Sequence, residues 1–337
     1  MTPNGRGIAA AVGLAVAVGY EAFRSSPRPA AFLVKSLFDL DARRVNEKIA
    51  DLVPAGITSI LDRPYGPGVD DYLDVYFPDS AGQLPTVVWV HGGGWLSGDK
   101  SHIANYLKIL AAQGYTTVAI NYSLAPGSTY PTPLIQANRS LAFLVEHAVE
   151  LQIDPNQLVL AGDSAGSHIA AQLAAITTNS SYAELVGIPP TLESGQLAGI
   201  ILHCGVYNMK VIDPDEMGLV GGLIRTFAWS YSGVKDFQHE YPRIAELSVV
   251  DYVNADFPPT FISGGNGDPL TPQSEELTAR LAGLGVEVQS QFFPDDLWPA
   301  LGHEYQFDLT SGDGQRVFEL TADFLRRHTS VLKSGPS

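Results

Sequence analysis

Short, strand-like runs rich in apolar residues alternate along this chain with longer segments in which apolar residues recur every three or four positions. The short runs lie at residues 58–61, 72–77, 86–90, 117–122, 158–161, 199–203, 260–263 and 286–293. Their length and apolar content predict strands. Helix-length segments fall between the later ones, at 103–113, 134–151, 165–177 and 273–284, with a last helix near 315–327. This alternation predicts an α/β fold in which parallel strands are joined by crossover helices. Strand centres such as Val118-Ala119-Ile120 and Val159-Leu160 carry no polar residue, as a sheet covered on both faces requires. Two regions stand outside the rhythm. Residues 30–50 have amphipathic helical spacing through Phe32, Leu33, Leu37, Phe38, Leu40, Val45 and Ile49, and Pro27 and Pro29 separate them from an earlier apolar run. Residues 206–257 hold no strand–helix unit, but they are rich in aromatics: Tyr207, Phe227, Trp229, Tyr231, Phe237 and Tyr241.

Composition narrows this picture. With 45% hydrophobic and 17% charged residues over 337 positions, the chain can bury a full core as one large domain or two. The 36 acidic and 20 basic residues leave a net charge of −16, which argues against a nucleic-acid partner and against attraction to anionic lipid. Cys204 is the only cysteine. No intrachain disulfide or cysteine cluster is therefore possible, and an inert buried thiol is expected. The eight histidines show no HExxH or similar spacing, so neither a metal nor another cofactor is expected. The apolar stretch at 8–20 is short for a membrane span, which takes ~20 residues. It reads either as a secretory or tethering segment or as a cap helix over a site. The location of the protein turns on that choice: secreted or membrane-tethered on the first reading, cytoplasmic on the second.

Chemistry is concentrated at two strand ends. Gly162-Asp163-Ser164-Ala165-Gly166 follows the run Leu158-Val159-Leu160-Ala161 and precedes a helical pattern. A serine at such a strand–turn–helix apex stands exposed beside a helix N-terminus, and glycines two positions to either side give the turn room. His91-Gly92-Gly93-Gly94-Trp95 follows the run Thr86-Val87-Val88-Trp89-Val90. Three glycines there leave backbone N–H groups uncovered, which is what a developing oxyanion needs. Together HGGGW and GDSAG resemble the hormone-sensitive-lipase-type esterases of the α/β-hydrolase superfamily, over roughly residues 58–330. Two stretches depart from that group's pattern: Ser167-His168 replaces Gly-Asn after GDSAG, and Tyr122-Ser123-Leu124-Ala125-Pro126-Gly127 replaces YRLAPE. The resemblance implies an eight-stranded, mostly parallel sheet with helices on both faces. It also implies oxyanion donors at Gly93, Gly94 and Ala165, with His91, Gly92 and Asp163 in support. In that fold 206–257 is a lid insertion, so the expected organisation is an apolar and cap segment at 1–50 and a catalytic domain at 51–337.

A serine hydroxyl needs a base, and the base needs a third group to hold it. In this fold acid and histidine follow the serine in that order. Asp268, in the Gly-rich loop after the run at 260–263, is the expected acid, with Asp251, Asp256, Asp295 and Asp296 as rivals. His303, between the last strand and the last helix, is the expected base. The expected reaction is hydrolysis of a small-molecule carboxylic ester of short-to-medium acyl chain through an acyl-enzyme on Ser164. Trp95, Trp229, Tyr231 and Trp298 are the candidate pocket walls, and their bulk argues for short acyl groups. The competing expectations are an amidase such as an arylformamidase, a non-catalytic ligand-binding module on the same scaffold, and a membrane-surface lipase acting through 8–20.

Overall fold

The computed structural model describes residues 21–79, 82–215 and 217–330; the apolar stretch at 8–20 lies outside them. The chain builds one eight-stranded sheet: β1 (Ile57–Pro64), β2 (Tyr72–Pro78), β3 (Leu84–Val90), β4 (Thr116–Ile120), β5 (Ile153–Asp163), β6 (Leu197–His203), β7 (Thr260–Ser263) and β8 (Val288–Gln291). Its strand order is β1-β2-β4-β3-β5-β6-β7-β8. β1 and β2 run antiparallel to their neighbours, and β3 to β8 run parallel. Every run read as a strand is a strand, with bounds shifted at the ends. β5 starts earlier than the apolar run because Ile153 pairs with Leu84 across a bulge.

The helices are α1 (Arg28–Lys48), α2 (Ala104–Ala111), α3 (Thr132–Glu146), α4 (Ala165–Thr178), α5 (Ser180–Val186), α6 (Gly218–Ser232), α7 (Phe237–Glu240), α8 (Thr271–Gly283) and α9 (Gly312–His328), of which α1 to α4, α8 and α9 fall where the spacing predicts them. α1 precedes the sheet, and α6 and α7 belong to the insertion. β3, β4 and β5 have their apolar centres buried on both faces. Val88, Val118, Leu158 and Ile169 lie in one core layer, and Val87, Trp89, Val159 and Phe261 lie in the other. Removing each such side chain from water contributes roughly 1.5–3 kcal/mol. The strand ends at the C-terminal edge are thereby rigid platforms, and both sequence motifs sit there.

Among the described residues of 206–257 there is no strand, in line with the sequence pattern, but α6 and α7 are helical where none was read. Glycines 218, 221 and 222 hide the helical period of α6 in the sequence. α1 and α6 pack against each other through Phe38 and Phe227, whose ring centroids are 5.9 Å apart. A small apolar cluster of Ala31, Val34, Leu96 and Ala125, with Leu223 and Phe227 against it, fixes both helices over the glycine loop.

Candidate active site

Ser164 ends β5 with φ +50° and ψ −118°, outside the regions that L-residues favour. The turn is this sharp because α4 starts on the very next residue. Its neighbours explain the glycines: a Cβ on Gly166 would lie 2.0 Å from the Val90 carbonyl oxygen, and one on Gly162 would lie 2.5 Å from the backbone of Gly166. Ser164 Oγ is 3.0 Å from His303 Nε2, and His303 Nδ1 is 2.8 Å from Asp268 Oδ2. In the tautomer where Nδ1–H donates to Asp268, Nε2 is free to accept the serine proton. Asp268 is buried and its Oδ1 accepts from the Leu270 N–H at 2.9 Å.

The acid and histidine loops are joined through Asn266. Its Oδ1 accepts from Leu301 N–H at 2.9 Å, its Nδ2 donates to the Leu297 carbonyl at 3.0 Å, and Gly267 N–H donates to the Leu301 carbonyl at 2.8 Å. The rival acids lie elsewhere: Asp251 pairs with Lys210 at 2.5 Å, and Asp256, Asp295 and Asp296 are exposed. Burial works against a charge on His303, but the hydrogen bond and charge of the Asp268 carboxylate, with the Cys204 sulfur in contact, outweigh it and hold the imidazole pKa well above its ordinary value. Cys204 was read as an inert core thiol. It is buried, but its Sγ, a His303 nitrogen and an Asp268 oxygen lie within 4.8 Å of one another.

The glycine loop is clamped to the serine turn. Asp163, buried at the end of β5, accepts from the Trp89 indole N–H at 2.7 Å and from Gly92 N–H at 2.8 Å. His91 Nδ1 bonds the Gly92 carbonyl at 2.9 Å, and its ring stacks on Tyr122 at 4.4 Å. Burial holds His91 neutral, with a pKa near about 4. Gly93 and Gly94 take φ of +96° and +60°, and both line the cavity beside Ser164 and Ala165. Ser167 and His168 face away from the cavity and brace the turn. Ser167 Oγ lies 2.6 Å from the Gly162 carbonyl and 2.9 Å from that of His203, while His168 Nε2 bonds the Leu247 carbonyl at 2.9 Å.

A cavity of about 930 Å³ opens over Ser164 between α1 and α6, walled mainly by apolar side chains such as Val45, Ile49, Leu223, Ile224 and Phe227. Of the four aromatics expected to shape it, Trp95 alone lines it, and the other three are corrections. Tyr231 is fully buried behind Trp95, stacked on it at 4.4 Å and 7°. Trp229 turns to the outer side of α6, with Lys235 Nζ 5.1 Å from its ring centroid. Trp298 is 87% exposed on the loop before His303. Sequence reasoning missed Phe227, which a Cβ on Gly94 would meet at 2.6 Å, and Glu304, which lines the cavity beside His303.

A parallel sheet in this strand order, with a serine turn and a histidine loop on one edge, defines an α/β-hydrolase. The profile of the BD-FAE family matches residues 73–281, and the chain belongs to that family. This agrees with the resemblance to hormone-sensitive-lipase-type esterases. Among similar proteins is esterase LipQ of Mycobacterium tuberculosis, 28% identical over 275 residues that cover 78% of this chain and 61% of the relative. Another is carboxylesterase NlhH of the same organism, 29% identical over 266 residues, 74% of this chain and 72% of the relative. The chain spans 48% to 61% of the length of the first curated relatives it matches. Esterase B of Lactobacillus rhamnosis has the same fold, with a TM-score of 0.73 at 24% identity over 88% of this chain and 97% of its own. Among the described residues no helix is long and apolar enough to cross a membrane.

Proposed function

We propose that this protein is a carboxylesterase that cleaves small-molecule carboxylic esters through an acyl-enzyme on Ser164. The observation that carries this reading is the hydrogen-bonded series Ser164–His303–Asp268 on the floor of a large apolar cavity. His303 Nε2 takes the serine proton as Oγ attacks the ester carbonyl, and Asp268 holds the imidazole and stabilises its charge. Backbone N–H groups of Gly93, Gly94 and Ala165 receive the oxyanion, the last at the N-terminus of α4 where the helix dipole favours negative charge. His303 then hands its proton to the leaving alcohol and activates a water that releases the acid.

Residues 28–48 and 206–257 act as the cap. Their apolar inner faces take up the acyl or alcohol group, and with three of the four large aromatics outside the cavity, medium chains fit as well as short ones. The test is labelling and turnover. A phosphonate ester should modify Ser164 stoichiometrically in the wild type, and Ser164→Ala should lower kcat on p-nitrophenyl butyrate by about six orders of magnitude. Near wild-type turnover by the alanine variant would end the assignment. A p-nitrophenyl series from acetate to decanoate should peak beyond acetate if the apolar walls set the preference.

A further inference from the structure

Glu304, immediately after His303, takes φ +61° and ψ +20°, a left-handed conformation unusual for a residue with a side chain. The turn sets its half-buried carboxyl group on the wall of the cavity. A Cβ on Gly92 would meet Asp163 Oδ2 at 2.2 Å and Glu304 Oε1 at 3.1 Å, so the two carboxyl groups converge on the first glycine of the oxyanion loop. Glu304 Oε1 also lies 3.9 Å from His303 Nε2, the atom proposed to move the serine proton. The Glu304 carboxyl lies close enough to Asp163 to raise its pKa and to share a hydrogen bond with it. Two carboxyl groups can do this only while one of them carries a proton.

Resting on the proposed esterase reading, we propose that Glu304 is a positioning residue: its carboxyl group, set beside Asp163 at Gly92 and 3.9 Å from His303 Nε2, holds the histidine loop against the oxyanion loop. Asp163 is the hub of this connection, since it also bonds Trp89 on β3 and Gly92. Its burial, and the Glu304 carboxyl beside it, raise the pKa of Asp163 well above the carboxylate range. The pair therefore keeps its last proton to higher pH than an ordinary carboxylate does, and is doubly anionic only beyond that point. Two adjacent anions then repel one another and oppose the oxyanion that forms beside them. The other titratable groups facing the pair are His303 on the same loop, Tyr106 on α2, Tyr122 beyond β4 and Cys204 beyond β6. Burial pushes the Tyr122 hydroxyl and the Cys204 thiol upward, so both stay neutral through neutrality.

The experiment compares wild type, Glu304→Gln and Glu304→Ala by pH-stat hydrolysis of ethyl butyrate from pH 6 to 10, with folding followed by circular dichroism at each pH. The glutamine keeps a hydrogen bond to Asp163 but has no proton to lose. Wild type should lose kcat/KM at the alkaline end while still folded, and Glu304→Gln should hold its activity to higher pH. Glu304→Ala should lose kcat on the order of a hundredfold at every pH with little change in KM. Superimposable profiles for wild type and Glu304→Gln would overturn the inference, as would an alanine variant with undiminished kcat. If the alanine variant fails to fold, the glutamine profile decides alone. A wild type that neither labels with a phosphonate nor hydrolyses any ester would instead fail the esterase reading, and this inference with it. Labelled, active wild type with superimposable profiles overturns the inference only.

Discussion

Ser164 sits at φ +50°, a conformation that costs about 1–3 kcal/mol and persists only where its surroundings hold it. Here they do: its N–H donates to the His203 carbonyl at 2.8 Å, and glycines 162 and 166 let strand and helix close on it. The base it faces carries a testable signature. Because the pKa of His303 is raised and the proposed reaction needs its neutral form, activity is lost as pH falls through that raised value. The acid limb of kcat/KM should thus lie above the ordinary histidine pKa of about 6.5. Asp268→Asn should move that limb down and lower kcat by about four orders while leaving the fold intact. A limb unmoved by the substitution would mean that Asp268 does not govern His303. Ser164, Asp268 and His303 were legible in the sequence because each follows a strand in the order the chemistry uses. Glu304 and Cys204 were not, because a left-handed turn at 304 and the end of β6 bring them to the histidine only in three dimensions. The pocket aromatics were misread because residue type does not say which side of α6 a ring leaves from.

At the level of elements, the sheet was legible nearly strand by strand, because β3, β4 and β5 are apolar on both faces and cannot be mistaken for amphipathic helix. The insertion was legible as a region but its helices were not, since three glycines in α6 erase its period. The joint between β5 and α4 leaves no room for a side chain at Gly166. Gly166→Ala would press a methyl group against two backbone carbonyls, of Val90 at 2.0 Å and His91 at 2.6 Å. Backbone cannot rotate away as a side chain can, so α4 must shift as a unit. The expected loss is about 3 kcal/mol or more by urea denaturation, with esterase activity lost alongside stability. A variant as stable as wild type would show that α4 can slide along β3, and the close-approach account of this glycine would be wrong.

For the whole molecule, acid stability should be set by histidines that do no chemistry. His91, His168 and His203 are buried on three different elements, and burial depresses their pKa values to about 4, about 4 and about 3. In the unfolded chain each returns to about 6.5. The unfolded state therefore binds more protons than the folded one between these values, and the stability due to neutral burial is complete above pH 6.5 and lost as pH falls toward 4. Each residue contributes on the order of 2 kcal/mol to that loss at pH 5. Carboxylates held low, such as Asp99 and Asp39, act later, below the ordinary aspartate range of about 4. These three histidines pull the urea midpoint down between pH 7 and pH 5, while Asp163 and His303, whose folded pKa values are raised, act in the opposite direction, so the histidine contribution is read from a variant. His203 is the cleanest probe, because it bonds Ser263 Oγ at 2.7 Å away from the cavity and burial alone lowers it. His203→Asn, compared with wild type at both pH values, should have a lower midpoint at pH 7 but a shallower fall toward pH 5. A His203→Asn variant whose midpoint falls as steeply as that of wild type would mean that the buried imidazole gains its proton without unfolding, and that the core is wetter than its burial implies.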